Sequence, residues 1–384
     1  MGWVKMLGRW CLPLILCWLL PLPLWAVDVG EIAVDYADLE QVIEEVGDYL
    51  GGYLAADPLQ EWWQEAKQGN LDLRPEVLGD LAAAVALGEL QTALRILGQL
   101  LVLAVLAALV ARLGALNENG VGKLAGSVIY MAFLGLALQV LLLCGETAGH
   151  AITMMSDFLY ALLPVLLTLL VSMGAASAVA LFNPAMLFAV SVALHLQRFF
   201  VLPLLYVSGA LLLGGRISAG VKLDGLSKLA KDLAMGVFTL MLAVFTAFLG
   251  LLGLSGAALD GLGYRAVKSA SGIFIPVVGR TLADVLDTVL SAALLLKNVV
   301  GVLGLVVLLL ICIVPAVKIL LMYLVLRLAG AVCEPLGDTE LAALLNSLAG
   351  VVVLFFGVVA ASTIFFFLLV CITICMGNLT CMLR

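Results

Sequence analysis

Apolar and polar positions follow two different patterns along this chain. From Val27 to about Gly88 they alternate with helical spacing. Leu39, Val42, Ile43, Val46, Tyr49 and Leu50 recur three, four and seven residues apart with acids between them, which predicts an amphipathic helix. Gly51-Gly52 ends it. Asp57-Pro58 then supplies an N-cap and a first-turn proline for a second helix carrying Trp62 and Trp63, stopping near Gly69. A third helix is expected to begin near Pro75. About sixty residues make a marginal core, so these helices are expected to pack on the rest of the chain or on a partner. The tryptophan pair fits an interfacial anchor or ordinary core packing.

Beyond Gly88 the apolar residues no longer alternate; they run on for roughly 18 to 28 residues at a time. Such runs fall at about 96–113, 124–144, 151–173, 177–194, 199–214, 229–253, 299–326 and 348–376. The fourth and fifth are the weakest: Asn183-Pro184 interrupts one, and His195 and Arg198 lie between them. The runs lack period-2 alternation, which selects helices over barrel strands as the spanning structure. Residues 1–26 read as a secretory signal, with Lys5 and Arg9 before an apolar stretch, a Pro21-Leu-Pro23 break, and Leu24-Trp25-Ala26 as an imperfect cleavage site. The expected organisation is therefore a signal peptide (1–26), an acidic exported helical segment (27–88) and a polytopic transmembrane domain (89–384). The fold class is all-α, a membrane bundle of about eight spans.

Composition agrees. Hydrophobic residues make up 64% of the chain and charged residues 12%, with a mean hydropathy of +1.22; a soluble domain carries about twice that share of charge. The net charge of −7 is unevenly spread: Val27 to Arg95 holds 15 acids against Lys67, Arg74 and Arg95. That excludes a nucleic-acid surface and docking on anionic lipid through this segment. With the mature N-terminus outside, Arg112 and Lys123 fall on the cytoplasmic side. So does the basic loop 214–231 with Arg216, Lys222, Lys228 and Lys231, the strongest cationic cluster in the chain. The connection Glu146–His150 falls outside.

The stretch 255–298 departs from this scheme. Gly272-Ile-Phe-Ile-Pro-Val-Val-Gly279 is apolar but too short to cross, and Pro276 bends it. After Arg280, the residues Asp284, Asp287, Thr288, Ser291 and Asn298 recur on one helical face opposite Leu, Val and Ala. An amphipathic helix on the outer surface and a re-entrant hairpin lining a polar path both fit.

No catalytic constellation is found. Gly120-Val-Gly-Lys123 lacks the earlier glycine of a phosphate loop, Asn117 standing in its place. Eight cysteines include no C-x-x-C pair and the histidines number two, so neither a metal nor another cofactor is expected. The remaining chemistry is polar groups at membrane depth, where they are costly and often functional: Gln139 in the second run, Asp157 in the third, and Lys318 in the seventh, three residues after Pro315. Asp157 and Lys318 are candidates to pair across helices or to line a path; Lys318 snorkelling along its stem is the plain alternative. Gly122 with Gly126 and Gly145 with Gly149 permit close helix contact.

Four segments of the C-terminal half carry a resemblance. Gly272-Ile-Phe-Ile-Pro-Val-Val-Gly-Arg280, Asp287-Thr-Val-Leu-Ser-Ala-Ala-Leu-Leu-Leu-Lys-Asn298, Pro315-Ala-Val-Lys-Ile319 and Glu334-Pro-Leu-Gly-Asp338, in this order and spacing, resemble stage III sporulation protein AE of endospore-forming bacteria. The resemblance implies a multispanning, permease-like component of a transenvelope channel between mother cell and forespore, placed in the mother-cell (outer forespore) membrane. It implies the other stage III A proteins and a forespore membrane partner as associates, and a role in late forespore gene expression. In that setting the polar stripe Asp284–Asn298 is a candidate lumen, and the basic loop 214–231 a contact for a cytoplasmic ATPase or another subunit. No catalytic residues come with the resemblance. A stand-alone secondary transporter or a purely structural membrane scaffold are the alternatives on the residues alone.

Overall fold

The computed structural model of the chain describes residues 36–53, 58–68, 76–116, 120–173, 176–217, 223–271, 278–336 and 338–382; over 251–271 and 278–292 it describes the backbone alone. The signal segment 1–26 lies outside the described residues. Among those described, the helices in chain order are α1 Ala37–Gly51, α2 Pro58–Lys67, α3 Glu76–Leu116, α4 Gly120–Ser172, α5 Ala176–Leu196, α6 Leu202–Ile217, α7 Asp224–Ser271, α8 Val278–Cys333 and α9 Thr339–Met382, with a π turn, Gln197–Val201, joining α5 to α6. The class is the expected one, a helical membrane bundle.

The spans are fewer and longer than expected. Among the described residues, six segments are long and apolar enough to cross a membrane: Gly79–Val110, Leu124–Ser172, Asn183–Gly215, Asp224–Phe248, Ala293–Cys333 and Thr339–Cys375. The runs 124–144 and 151–173 form the single helix α4. Gly145-Glu-Thr-Ala-Gly-His150, expected as an outer connection, has no proline, and Thr147 Oγ1 donates to the Leu143 carbonyl at 2.7 Å within the helix. Its glycines are used for packing. A Cβ at Gly145 would collide with the Tyr206 ring, and one at Gly149 would meet Leu202 Cδ1 at 3.5 Å. The close approach of α4 and α6 compensates the intrinsic helix cost of glycine, about 1 kcal/mol each. In the same way 177–194 and 199–214 become one rod through the π turn, and Pro184 is carried inside α5.

Both mergers remove an outer connection together with the span beside it. The basic connections therefore still share one end of the bundle. The helices alternate in direction, as their contacts show: Leu141 meets Gly209 while Leu202 meets Gly149, and Leu162 meets Gly304 while Leu166 meets Gly301.

Two further expectations change. The basic loop 214–231 is mostly helix: α6 runs to Ile217 and α7 begins at Asp224, so Lys228 and Lys231 stand on the first turns of α7, exposed and half-buried respectively. The segment after Arg280 is not a separate surface helix, because the backbone continues unbroken from Val278 through the span to Cys333; the break around Pro276 expected for a re-entrant hairpin lies outside the described residues. Pro315 is accommodated inside this 56-residue helix; a proline there removes one backbone bond, which neighbouring helices tolerate. The α8–α9 connection is closed by Asp338, whose Oδ1 accepts from the Leu341 amide at 3.0 Å, an N-cap for α9.

The acidic helices α1 and α2 dock on the bundle, α1 against α4 and α2 against α8. Their apolar stripe, Leu39, Ile43, Val46 and Leu50, is buried, and so are Trp62 and Trp63, which makes the tryptophans core residues. Glu40 joins the two helices, accepting from Trp63 Nε1 at 3.0 Å and from Lys67 Nζ at 2.9 Å. Tyr36 packs edge-on to Trp63 with centroids 5.5 Å apart, and Tyr49 lies against His150 of α4 at 5.7 Å.

Two outcomes follow. The Lys67 and Trp63 hydrogen bonds hold the Glu40 carboxyl below the ordinary carboxylate range. Its contribution is therefore full above the unfolded value and is lost as pH falls through the depressed folded value. A chain starting at Val27 keeps only Trp62 and Trp63 of the six tryptophans. Its fluorescence in detergent is expected to shift to the red on acidification, and Glu40→Gln to abolish that acid step. Separately, Gly145→Ala is expected to destabilise the bundle by about 1–3 kcal/mol through overpacking, measured by thermal unfolding in detergent, with Tyr206→Ala in the same chain recovering part of the loss.

Candidate functional site

The strongest charge cluster in the bundle joins three elements. α3 carries Glu89 and α8 carries Lys318, within otherwise apolar helical faces, and the Gly51-Gly52 end of α1 turns the chain so that Tyr53 reaches them. Tyr53 N donates to the Leu50 carbonyl at 2.8 Å, closing that turn. The Tyr53 hydroxyl donates to Glu89 Oε1 at 2.9 Å, and Lys318 Nζ lies 3.2 Å from the same oxygen. The glutamate side chain is 10% exposed and the lysine 25%, so this is a largely desolvated pair. Burial, then the adjoining Glu89 carboxylate, push both the Tyr53 and Tyr49 hydroxyls up to about 12; both remain neutral donors at physiological pH. The cluster fastens the acidic helices α1 and α2 to the membrane helices.

Lys318 thus takes Glu89 as its ion-pair partner, in place of Asp157. Asp157 is exposed on α4, with Glu45 and Arg198 as its charged neighbours. Glu89 escapes a sequence reading because it follows a run of acids assigned to the soluble segment, although α3 carries that segment straight into the bilayer-length stretch.

A second polar layer lies inside the bundle and was invisible to composition. Gln197, fully buried, opens the π turn. Its Oε1 accepts from Ser362 Oγ on α9 at 3.0 Å, and its Nε2 approaches Met241 Sδ on α7 at 4.0 Å. Beside it Thr363 Oγ1 donates to Met155 Sδ at 3.3 Å. A π turn inserts one residue per turn and recurs at functional sites; here it aims a glutamine amide at α7 and α9 while Phe199 and Phe200 stay exposed. The sequence signal was the His195–Arg198 interruption. Closer to the basic end, Ser208 and Ser227 lock α6 to α7 reciprocally. Each hydroxyl donates to the other residue's carbonyl, at 2.9 and 2.8 Å.

Lys297 is a third buried polar group, fully enclosed, with Nζ donating to the Ile374 carbonyl of α9 at 2.7 Å. Its neighbour Asn298, the residue singled out from the sequence, is half-buried, and its Oδ1 has no hydrogen-bond partner among the described residues. A lysine inside an apolar run is the signal that could have found Lys297 as it found Lys318. Asp284, Asp287, Thr288 and Ser291 belong to α8 by backbone, and their side chains lie outside the described residues, as do those of Arg216 and Lys222. Gln139 is exposed on α4. No group of three or more metal-ligating side chains occurs among the described residues.

Breaking a buried pair from one side strands the other charge, at a cost of about 3–5 kcal/mol. Lys318→Met is therefore expected to lower the unfolding temperature in detergent sharply. The Glu89→Gln/Lys318→Met double variant should fall close to the native value, giving a strongly non-additive double-mutant cycle.

Comparison with known proteins places this architecture. The family described as stage III sporulation protein AE matches residues 58–377, from the start of α2 to the last turns of α9. Stage III sporulation protein AE of Bacillus subtilis (strain 168) is 34% identical over 291 residues, covering 76% of this chain and 73% of that protein. No solved structure matches. The match takes in Glu89, Lys318 and the Gln197 layer together, and the chain belongs to the stage III sporulation protein AE family.

Proposed function

We propose that this chain serves endospore formation as a membrane-embedded, permease-like component of the transenvelope channel between mother cell and forespore, acting by assembly with no catalytic step. It resides in the mother-cell (outer forespore) membrane. The observation that carries the reading is the family match, which extends over all six candidate spans. The bundle is compatible with it in two ways. Its buried polar groups tie helices to one another, as expected of a rigid subunit. Its acidic helices α1 and α2 offer an exported face to partner domains, while Lys228 and Lys231 stand with the basic connections at the opposite, cytoplasmic end, available to a cytoplasmic subunit such as an ATPase. The other stage III A proteins and a forespore membrane protein are the proposed partners.

Affinity purification of the tagged chain from sporulating cells tests this. The other stage III A proteins and a forespore membrane protein are expected to co-purify. Recovery of the chain alone, in monodisperse form, would overturn the reading in favour of a self-sufficient transporter.

A further inference from the structure

Between α3 and α4 runs an open groove of about 670 Å³ lined by Arg95, Gly98, Gln99, Val102, Ala132 and their neighbours. It lies within Gly79–Val110 and Leu124–Ser172, both apolar enough to span a membrane. Its floor is apolar, with Leu103 and Leu136 half-buried, whereas Arg95 and Gln99 are exposed, as is Gln139 one turn beyond Leu136. These polar groups differ from the rest of the bundle's. Glu89 and Gln197 turn inward and find partners, while Arg95 makes no ion pair among the described residues. An arginine and two glutamines facing hydrocarbon are unfavourable, and groups so placed ordinarily face protein. Small residues frame the site: a side chain at Gly98 would meet nothing within 4 Å, and Ala132 stands opposite. A second helix can therefore approach closely, with the glutamine amides available for interhelical bonds.

We propose that this groove receives a transmembrane helix of a partner protein, and that this helix carries a carboxylate at the level of Arg95. Charge complementarity selects the occupant, since a guanidinium on an apolar wall is matched by a carboxylate able to take a bidentate bond. A second copy of the chain, whose candidate spans carry exposed carboxylates such as Glu146 and Asp157, is the competing occupant that the experiment below separates. The inference rests on the assembly reading above and specifies one contact within it.

A photo-crosslinking residue is placed at Ala132 or at Gln99 in the full chain, in sporulating cells, with Leu240 on α7, which is 65% exposed, as the control position. The expected result is a discrete adduct from both groove positions and none from Leu240, with a membrane protein whose crosslinked helix contains Asp or Glu. Arg95→Glu should reduce the adduct about tenfold or more, Arg95→Lys, which keeps the charge but loses the bidentate fork, should give an intermediate yield, and replacing the partner's acid by lysine should restore it in the Arg95→Glu chain. All yields are compared on equal amounts of monodisperse extracted protein. An adduct with a second copy, an adduct only with lipid, a partner helix without an acid, or a yield indifferent to Arg95→Glu would each overturn the proposal. Co-purification from the unsubstituted chain separates the two readings. Partners recovered without a groove adduct sink this contact alone; no partners recovered sinks the assembly reading.

Discussion

Glu89 and Lys318 sit on largely apolar helices, and neither can be buried there alone. Desolvating a single carboxylate or ammonium costs several kcal/mol, while a close pair with a further hydrogen bond recovers most of that cost. The requirement reaches beyond the two side chains. Glu89 must lie level with Lys318, which fixes the vertical offset of α3 against α8. The third ligand to the same oxygen is Tyr53, which fixes the end of α1. Once α1 is held there, Tyr49 falls beside His150, and Glu40 can bring α2 down through Trp63 and Lys67. One ion pair thus sets where the acidic segment meets the membrane bundle. Neither the apolar surface nor helix propensity contains that information, because burial of apolar area has no preferred register.

Registers elsewhere are set by the same device. Gln197 with Ser362, Ser208 with Ser227, and Lys297 with the Ile374 carbonyl each link two helices that alternate in direction. In lipid the hydrophobic effect gives little drive to bring helices together, so close packing at small residues and polar bonds must do it. The glycines at 145, 209, 301 and 304 lie where a Cβ would strike the facing side chain. Small residues let the rods approach, and polar bonds then choose how far each slides.

Much of the fold was legible in the sequence, because lipid leaves the backbone so few choices. The helical class, the amphipathic stripe from Leu39 to Leu50, the break at Gly51-Gly52 and the basic end all follow from spacing alone. The span count was misread where Glu146, His150, His195 and Arg198 interrupt apolar runs. A pair of polar residues resembles a loop in one dimension, yet a helix can carry them if they meet α1 or a neighbouring chain instead of lipid. Helix length does not show in the apolar runs. At 1.5 Å per residue the 53 residues of α4 extend roughly 80 Å, well beyond a hydrocarbon core of about 30 Å; no window-based reading anticipates a rod of that length. Lys318 was found as a lone charge in an apolar run, but its partner was sought in another such run. Glu89 was the true partner, hidden because α3 continues from the acidic segment into the bilayer-length stretch without a break. Gln197 and Lys297 passed unnoticed among more conspicuous neighbours.

The placement of polar groups bears on how the chain can act. Among the described residues, the interior polar groups are largely taken up by each other or by backbone carbonyls, so they specify structure and leave little chemistry for a solute. The groups left open, Arg95, Gln99 and Gln139, lie on the outside of helices that composition alone would give to lipid. A self-sufficient transporter would be expected to show the reverse, with open polar groups converging near the bundle axis. A subunit that works through its neighbours needs a rigid interior and a chemically marked exterior.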